Sequence, residues 1–559
     1  MENLENEFNK LQSTFNEGKK YLIGKNKDIK LSIQSYEKYL LNLEHLYENL
    51  KNNSNINNYI DKLNSVYIVH IIKLVKIFLL IPYYYKAKLL CEKVFEIDKN
   101  NIEILPSYIK CLHYFRKYEL ITGILSNIKS EENEKIKELK LKNIDRIKES
   151  KGEYDLKTIF QNLKKNKNYN LDLAEYTSNN ICIQKDKLKG LVLLAKEEIP
   201  KGTMIIASKA IEYVPKNNDN LIKIYYQKEE YQKKLITKII EKMNYCKEDI
   251  PEIYELYDKT NSELSLEERK QNYYKNLSKK SIDIPEKNLS GIFSNAIATK
   301  LYLFDELDLL LGIFYYPSFM SHSCIPNTKI LGIGNFIFIF TERLIKKNEE
   351  ITTSYIDCNE EYNKRQEKLK KFYGFECQCE LCLSEKKKFQ EIPEIKNKIS
   401  FYINELIDLI NNPNFEQKKY LDIAKEISKF VDDNNNNISN YKKGILFYNL
   451  FCLWPYNDSY LKNYNLLKNG LESLENEKIM QFNVLKYNYL LKMYKVNYVF
   501  NEKLKDEVKQ KMIILFSEVL GNKEKEFIEI LLDDLINFYT KNEDREIKGL
   551  KLIKFKIFL

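Results

Sequence analysis

The chain has 559 residues, 44% of them hydrophobic, so it is long enough for about three or four ordinary domains with apolar cores. This composition excludes an intrinsically disordered protein. Basic residues outnumber acidic ones by 90 to 80, a formal charge of +10, but the two signs are interleaved along most of the chain. Such a balance allows an acidic partner without requiring one, and we expect no direct nucleic-acid binding.

The cysteines and the apolar stretches bear on the cellular compartment. The ten cysteines are mostly isolated, which in a long chain predicts free, buried thiols in a reducing environment. The N-terminus begins Met1-Glu2-Asn3, which is too polar for a secretory signal. The most apolar stretch, Val69 to Tyr85, contains Lys73, Lys76 and Pro82. We therefore expect a buried helix there and no membrane anchor.

Residues 1 to about 165 show helical periodicity interrupted by polar loops. The stretch from Ala87 to Asp98 resembles the second helix of a tetratricopeptide repeat, with small or medium residues where that repeat needs close helix contact. Within the following repeat length, the bulkier Ile109 and Ile121 stand at such positions. Two interpretations stay open: a tetratricopeptide-like region that binds a peptide or protein partner, and ordinary helical pairs without a peptide groove.

From about residue 178 the chain changes to short apolar runs separated by turn signals. Strands are predicted at Ile181–Ile183, Leu191–Ala195 and Met204–Ala207. The clearest hairpin joins Thr328–Ile333 to Phe336–Phe340 through Gly334-Asn335. Five consecutive large apolar residues in its second arm predict a strand that is buried on both faces.

Three further segments complete the predicted organisation. A polar, lysine-rich and helical insert is expected at about 216 to 288, and Asn348-Glu349 is predicted to turn into a last strand, Ile351–Ile356. Beyond residue 385 helical periodicity returns, with a loop at Asp432–Asn437. The prediction is an α+β protein, expected to be a monomer, with a helical region at 1–165, a central domain at 178–384 and a C-terminal helical domain at 385–559.

One cysteine cluster stands out. Cys377, Cys379 and Cys382 form a C-x-C-x-x-C sequence, and a tetrahedral zinc ion needs thiolates about 2.3 Å away that a short turn of this kind can supply from one side. Cys324, in a polar loop before the hairpin, is the best candidate for the fourth ligand. The alternative is a loop with three unligated cysteines.

Other polar and aromatic residues have ordinary interpretations when taken singly. His322 beside Ser323 and Cys324 suggests a nucleophile and its base, but adjacent residues rarely aim their side chains at each other, which argues against a hydrolase. Tyr355 would by default be a half-buried strand residue, and Tyr373 with Phe375 would be packing residues.

Taken in order, these segments resemble the SET domain, the fold of a large class of protein lysine methyltransferases. The sequence Ser321-His322-Ser323-Cys324-Ile325-Pro326-Asn327 resembles the N-H-S-C-x-P-N signature, especially in the branch that combines SET with a MYND zinc finger. The segment from Asn348 to Tyr355 resembles the G-E-E-[IL]-x-x-x-Y strand. Residues Arg365 to Cys382 resemble the R-x3-L-x3-Y-x-F-x-C-x-C-x2-C ending, and 189–203 resemble the opening segment.

The resemblance implies roles for matching positions. Tyr355 and Tyr373 would be the catalytic residues, lining the channel through which a substrate lysine enters. S-adenosylmethionine would be bordered by Lys189, Gly190, Asn295, Ser321, His322 and Phe375. One structural zinc would be held by Cys324, Cys377, Cys379 and Cys382, the last three within a zinc-binding segment at about 370–384. No MYND finger is visible, because Cys246 is the only cysteine between residues 183 and 323.

The implied activity is transfer of methyl groups to a lysine of a histone or another protein, in the nucleus, the cytoplasm or both, with chromatin as one setting.

Two departures favour a rival, a SET scaffold or adaptor without cofactor affinity. Val192 replaces the second glycine of the opening segment, and Ser321 replaces the motif asparagine. Asn348 replaces the glycine of the G-E-E segment. This replacement favours the rival less, because asparagine tolerates a left-handed backbone. A second rival is an interaction platform in which only the helical region matters.

Overall fold

The structure is a computed structural model of the whole chain, and it describes the following residues: 8 and 10–23, 28–52, 59–128, 134–166, 170–187, 189–215, 228–256, 264–269, 271, 297–299, 310–356, 362–389, 393–411, 417–434, 438, 443–444, 446–447, 468–473, 490, 493, 502–520 and 525–533. The predicted insert at 216–288 and the predicted loop at Asp432–Asn437 therefore lie only partly within the described chain.

The N-terminal region is helical. Its helices are α1 (Gln12–Ile23), α2 (Ile29–Lys51), α3 (Ile60–Leu80), α4 (Tyr84–Ile97), α5 (Leu105–Tyr114), α6 (Tyr118–Asn127), α7 (Glu134–Glu149) and α8 (Leu156–Asn166). Side chains of α2 through α7 form one continuous hydrophobic core. The expected buried helix is α3, although it begins before Val69 and ends at Leu80. By length and composition α3 could cross a membrane, but half of its most apolar window is buried inside the molecule.

Short strands build the central part of the chain. They are β1 (Tyr176–Thr177), β2 (Ile181–Asp186), β3 (Gly190–Ala195), β4 (Met204–Lys209), β5 (Glu212–Pro215), β6 (Ile297–Thr299), β7 (Leu310–Ile313), β8 (Ser321–His322), β9 (Thr328–Ile333), β10 (Phe336–Thr341) and β11 (Thr352–Thr353). Four small sheets result, with strand orders β1-β4-β10-β9, β5-β7-β6, β2-β3 and β8-β11. Among these described strands all pairings are antiparallel except the parallel pair of β8 and β11.

The predicted hairpin is confirmed. Phe336 pairs with Ile333, and every residue of β10 is buried, as expected for a strand covered on both faces. One face of β10 presents Phe336, Phe338 and Phe340 to a core that includes α8. The other face presents Ile337 and Ile339 to a second core beneath β3 and β4. The predicted last strand is shorter than expected, since only Thr352 and Thr353 have strand pairing there.

The described helices of the C-terminal half are α11 (Tyr362–Tyr373), α12 (Glu380–Phe389), α13 (Pro393–Asn411), α14 (Gln417–Asp433) and α15 (Glu502–Leu520), preceded in the insert by α9 (Lys228–Tyr245) and α10 (Pro251–Glu255). Val508, Met512 and Phe527 join the core on the phenylalanine face of β10. The ring centroids of Phe160 and Phe527 are 5.7 Å apart. Helical flanks are thus confirmed, and the boundaries at 165, 178 and 384 stay predictions.

Asp249 connects the insert to the N-terminal helices. The two carboxylate oxygens of Asp249 accept hydrogen bonds from the backbone N–H groups of Tyr84 and Tyr85, both at 2.6 Å, at the N-terminus of α4. The Tyr114 hydroxyl donates to the Asp249 backbone carbonyl at 2.7 Å. Burial nevertheless raises the pKa of the Asp249 carboxyl to about 7, because the two amide donors and Lys242 only partly offset desolvation.

This raised pKa predicts a pH-dependent contribution to stability. A carboxyl whose pKa rises on folding stabilises the native state most at low pH, and that contribution falls as pH rises from about 4 to 7. Asparagine imitates the protonated carboxyl, so Asp249→Asn should remove the dependence. We expect the unfolding free energy of the natural protein, relative to the variant, to fall by roughly 1–3 kcal/mol between pH 5 and pH 8.

Thermal unfolding at both pH values measures this difference, with the exposed Asp432→Asn as the control. A natural protein that gains stability over the variant as pH rises would mean that the two amide donors outweigh burial.

Candidate functional site

The segment from Asn348 to Tyr355 organises the candidate site. Asn348 has a φ of 63°, so the left-handed turn expected at this position is confirmed. After the turn, the Ala195 N–H donates to the Glu349 carbonyl at 3.0 Å, and the Ile351 N–H donates to the Leu193 carbonyl at 2.8 Å. The segment therefore first pairs with β3 and then, at Thr352, continues into the parallel pairing with β8.

Asn327 holds the same segment from the opposite side. Its side-chain carbonyl accepts a hydrogen bond from the Thr352 N–H at 2.8 Å, and its amide nitrogen donates to the Glu350 carbonyl at 2.7 Å. The Asn327 N–H in turn donates to the Thr352 hydroxyl at 3.0 Å. Because Asn327 is only 1% exposed, water cannot replace these bonds.

Three aromatic side chains gather at the end of this segment. The ring centroid of Tyr355 lies 5.1 Å from that of Tyr373 and 6.5 Å from that of Phe375. The Tyr355 hydroxyl donates to the Met320 carbonyl at 2.5 Å, and the Tyr373 hydroxyl donates to the Tyr355 carbonyl at 3.3 Å. Burial raises the pKa of both phenols, so both hydroxyls remain protonated donors at neutral pH.

His322 lies against this aromatic group. Its ring centroid is 5.3 Å from that of Tyr355 and 5.9 Å from that of Phe375. Ser321 precedes it in β8 and pairs with Thr352. The structure thus brings His322 next to Tyr355, whereas the roles of Ser321 and His322 at a cofactor stay predictions.

The four cysteines Cys324, Cys377, Cys379 and Cys382 converge, with all four sulfur atoms within 4.8 Å of one another. The sulfur of Cys324 is 3.6 Å from that of Cys382 and 4.0 Å from that of Cys377. Tetrahedral zinc with bonds of about 2.3 Å would separate its sulfur ligands by about 3.8 Å. The cluster could therefore hold a metal ion, and its geometry fits zinc.

The electrostatics of this cluster also suit a cation. Hydrogen bonds among the thiols lower the pKa values of Cys377 and Cys379 and raise that of Cys382, so thiolates form first at Cys377 and Cys379. Arg365, 1% exposed, donates to the Cys382 sulfur at 3.7 Å and pairs with Glu385. Sequence reasoning identified Arg365 as a motif residue but missed this contact, because burial of an arginine is not visible in the sequence.

Of the remaining predicted cofactor residues, Lys189 and Gly190 lie at the turn between β2 and β3. The Lys189 ammonium pairs with both carboxylate oxygens of Glu350, at 2.7 and 2.9 Å. Gly190 has a φ of 80°, and a Cβ atom added there would meet no atom of the described residues within 4 Å. Gly190 therefore fits a position where a ligand approaches the backbone. Asn295 lies outside the described residues.

The departure at Val192 occupies a regular strand. Val192 is 3% exposed and lies in β3, where it pairs with Gln184 of β2. By strand alternation it shares a face with Gly190, opposite the face of Leu193 that packs into the core. A valine here leaves the strand intact and takes up space on the face of Gly190.

Comparison with known proteins identifies the central domain: residues 190–356 are a SET domain. A SET domain-containing protein of Acanthamoeba polyphaga mimivirus, L678, is 25% identical over 39% of this chain and 84% of its own length. The histone-lysine N-methyltransferase set5 of Schizosaccharomyces pombe is 33% identical over 16% of this chain and 30% of its own. ATXR2 of Arabidopsis thaliana, also named a histone-lysine N-methyltransferase, is 41% identical over 14% of this chain and 18% of its own length.

Two SET and MYND domain-containing proteins of Dictyostelium discoideum are similar too, at 37% and 35% identity over 15% and 14% of their lengths. The match thus spans most of the viral relative but less than a third of set5, of ATXR2 and of the two Dictyostelium proteins. The central domain is therefore similar to a domain found in proteins named lysine methyltransferases.

Asn327 gives the first test of how the site is held. Removing its side chain leaves the Thr352 N–H and the Glu350 carbonyl buried without their partner, so Asn327→Ala should lower the unfolding free energy by roughly 2–4 kcal/mol. Chemical denaturation measures the change, and the exposed Asn363→Ala on α11 is the control. Equal stability of the two variants would contradict the role assigned to Asn327.

Proposed function

We propose that this protein is an S-adenosylmethionine-dependent protein lysine N-methyltransferase. The observation that carries the proposal is that Tyr355, Tyr373 and Phe375 pack in one apolar cluster with the four cysteines, next to His322 of the signature motif. This arrangement supplies an aromatic wall with two polar hydroxyls beside a rigid, metal-binding segment.

The chemistry suits such an environment. Methyl transfer needs an uncharged lysine amine, and deprotonating an ordinary lysine of pKa about 10.4 near pH 7.5 costs about 4 kcal/mol. An apolar channel lowers that cost, because burial disfavours the ammonium form. In our proposal Tyr355 and Tyr373 orient the amine through their hydroxyl groups without adding a charge.

S-adenosylmethionine supplies the electrophilic methyl group when it is bound. We propose that Lys189, Gly190, Asn295, Ser321 and His322 border it and that Phe375 lies beside its adenine. The open space at Gly190 supports this proposal. The Lys189 ammonium, already paired with Glu350, supplies a positive charge at the same edge.

Zinc is the metal that we propose for the four cysteines, in a structural role. Arg365, which contacts the sulfur of Cys382, and His322, which contacts the sulfur of Cys324, would orient these two ligands. The substrate is proposed to be a histone or another protein, with action in the nucleus, the cytoplasm or both. The names of the yeast and plant relatives support this proposal. The helical flanks are proposed to recruit a partner or the substrate.

The rival proposal, a SET scaffold without cofactor affinity, rests on Val192 and Ser321. Val192 fills space on the face that Gly190 leaves open, and serine has a shorter polar group than the motif asparagine. Losing one polar contact would cost roughly 0.5–1.5 kcal/mol, which lowers affinity by about two- to tenfold without abolishing it. We therefore prefer the enzyme.

Calorimetric titration with S-adenosylmethionine and with its demethylated product separates the two proposals. We expect micromolar binding by the natural protein and tighter binding by the double variant Val192→Gly with Ser321→Asn. Binding by the double variant alone would establish the scaffold.

Tyr355→Phe tests the channel. Removing the hydroxyl leaves the ring packing intact but removes the hydrogen bond to Met320, so kcat should fall at least tenfold while S-adenosylmethionine binding persists. Transfer of radiolabelled methyl groups to core histones and to other lysine-rich proteins measures turnover. Tyr59→Phe, at a side chain that is 55% exposed in the helical region, is the control. Unchanged turnover in Tyr355→Phe would remove Tyr355 from the catalytic machinery.

Elemental analysis tests the metal site. We expect about one zinc per chain in the natural protein and substantially less in Cys379→Ser, because one of four thiolates is lost. Cys182→Ser, at a half-buried cysteine in β2, should keep its zinc. Soluble natural protein without metal would contradict the proposal.

A further inference from the structure

Both ring nitrogens of His322 have a neighbour at hydrogen-bonding distance. Nδ1 lies 3.0 Å from the backbone nitrogen of Tyr355, and Nε2 lies 3.4 Å from the sulfur of Cys324. A backbone N–H can only donate, so Nδ1 is the acceptor. The proton of a neutral imidazole must then be on Nε2, which donates it to the Cys324 sulfur.

This tautomer has a consequence for the role of His322. Both polar atoms of its ring are engaged within the protein, so any contact with a cofactor would be made by its backbone. The ring instead forms a bridge from a thiol of the cysteine cluster to the main chain of Tyr355. It is also packed against the rings of Tyr355 and Phe375, which restrict its rotation.

The bridge completes the support of Tyr355. The Tyr355 hydroxyl is held by the Met320 carbonyl, and the Tyr355 carbonyl is held by the Tyr373 hydroxyl. His322 holds the remaining polar group, the backbone N–H. Of these three contacts, only the one through His322 leads directly to a proposed metal ligand.

We propose that His322 is a positioning residue that couples metal binding at the cysteine cluster to the placement of Tyr355. The proposal rests on the proposed function and adds a route from the metal to the channel. A metal-bound Cys324 is a thiolate, and a charged acceptor forms a hydrogen bond about twice as strong as a neutral one. A protonated thiol is a weak acceptor, so loss of the metal would loosen the imidazole and with it the Tyr355 main chain.

Two substitutions divide the bridge into its halves. Asparagine can place its side-chain carbonyl oxygen near the position of Nδ1, so His322→Asn should keep the bond to Tyr355 and lose the one to Cys324. Glutamine is longer and can place its amide group near the position of Nε2, so His322→Gln should keep the bond to Cys324 and lose the one to Tyr355. The exposed His45→Gln is the matched control.

Two measurements, neither of which requires methyl transfer, report separately on the two hydrogen bonds of His322. Hydrogen exchange of the Tyr355 amide, resolved by mass spectrometry, reports on its bond to His322. Release of zinc to a chromogenic chelator reports on the bond to Cys324. We expect amide exchange to be about fivefold or more faster in His322→Gln, and zinc release to be about tenfold or more faster in His322→Asn. His45→Gln should change neither rate.

The natural protein provides a third comparison. Stripping zinc with a chelator should accelerate exchange of the Tyr355 amide, and adding zinc back should restore its protection. In His322→Gln the same treatment should have little further effect on this amide. Where turnover is measurable, His322→Gln should lower kcat more than it raises KM, because Tyr355 is misplaced while the metal stays bound.

The coupling is overturned if the Tyr355 amide exchanges equally fast with and without zinc in the natural protein, or if Asn and Gln at position 322 change both rates alike. A variant that does not fold leaves the comparison of loaded and stripped natural protein to decide. Failure of the proposed function would appear separately, as absence of S-adenosylmethionine binding and methyl transfer. That result would leave the rates of Tyr355 amide exchange and zinc release unchanged.

Discussion

The site depends on the hydrogen bonds that hold the segment from Asn348 to Tyr355. This segment pairs with β3 at its start and with β8 at Thr352, and the buried Asn327 amide joins both parts from the side. A chain that leaves one sheet and enters another exposes backbone groups between them, and in a dry interior each unpaired group costs about 1–3 kcal/mol. The Asn327 amide satisfies a donor and an acceptor at this crossing.

Much of the architecture could be predicted because hydrophobic patterning is a local signal. The alternation and the long apolar arm around Gly334-Asn335 predicted β9 and β10, including burial of β10 on both faces. The last strand was predicted too long, because Ile351 contacts β3 through a loop hydrogen bond beside a single bridge at Glu350 rather than through a regular ladder. Patterning cannot distinguish these two ways of burying the same side chains.

For the candidate site too, some contacts could be predicted from the sequence and others could not. The C-x-C-x-x-C spacing predicted a thiol cluster, and Cys324, 53 residues before Cys377, was expected as its fourth member from its polar loop and from the resemblance. The supporting contacts of Asn327, Arg365 and Asp249 could not be predicted, since each joins residues distant in sequence and depends on burial. For Asp249, opposing effects of burial and two backbone donors set the pKa, and only the structure shows their balance.

Both apolar and polar contacts join the flanking helices and the insert to the rest of the molecule. The phenylalanine face of β10 packs against α8 and the C-terminal helices through apolar side chains. The insert meets the N-terminal helices through the buried carboxylate of Asp249 and through Cys246, which lies in their hydrophobic core. The same insert also contacts the segment that precedes the signature motif, because Glu255 at the end of α10 accepts a hydrogen bond from Tyr315. A series of contacts therefore runs from the N-terminal helices through the insert to the segment that precedes the motif.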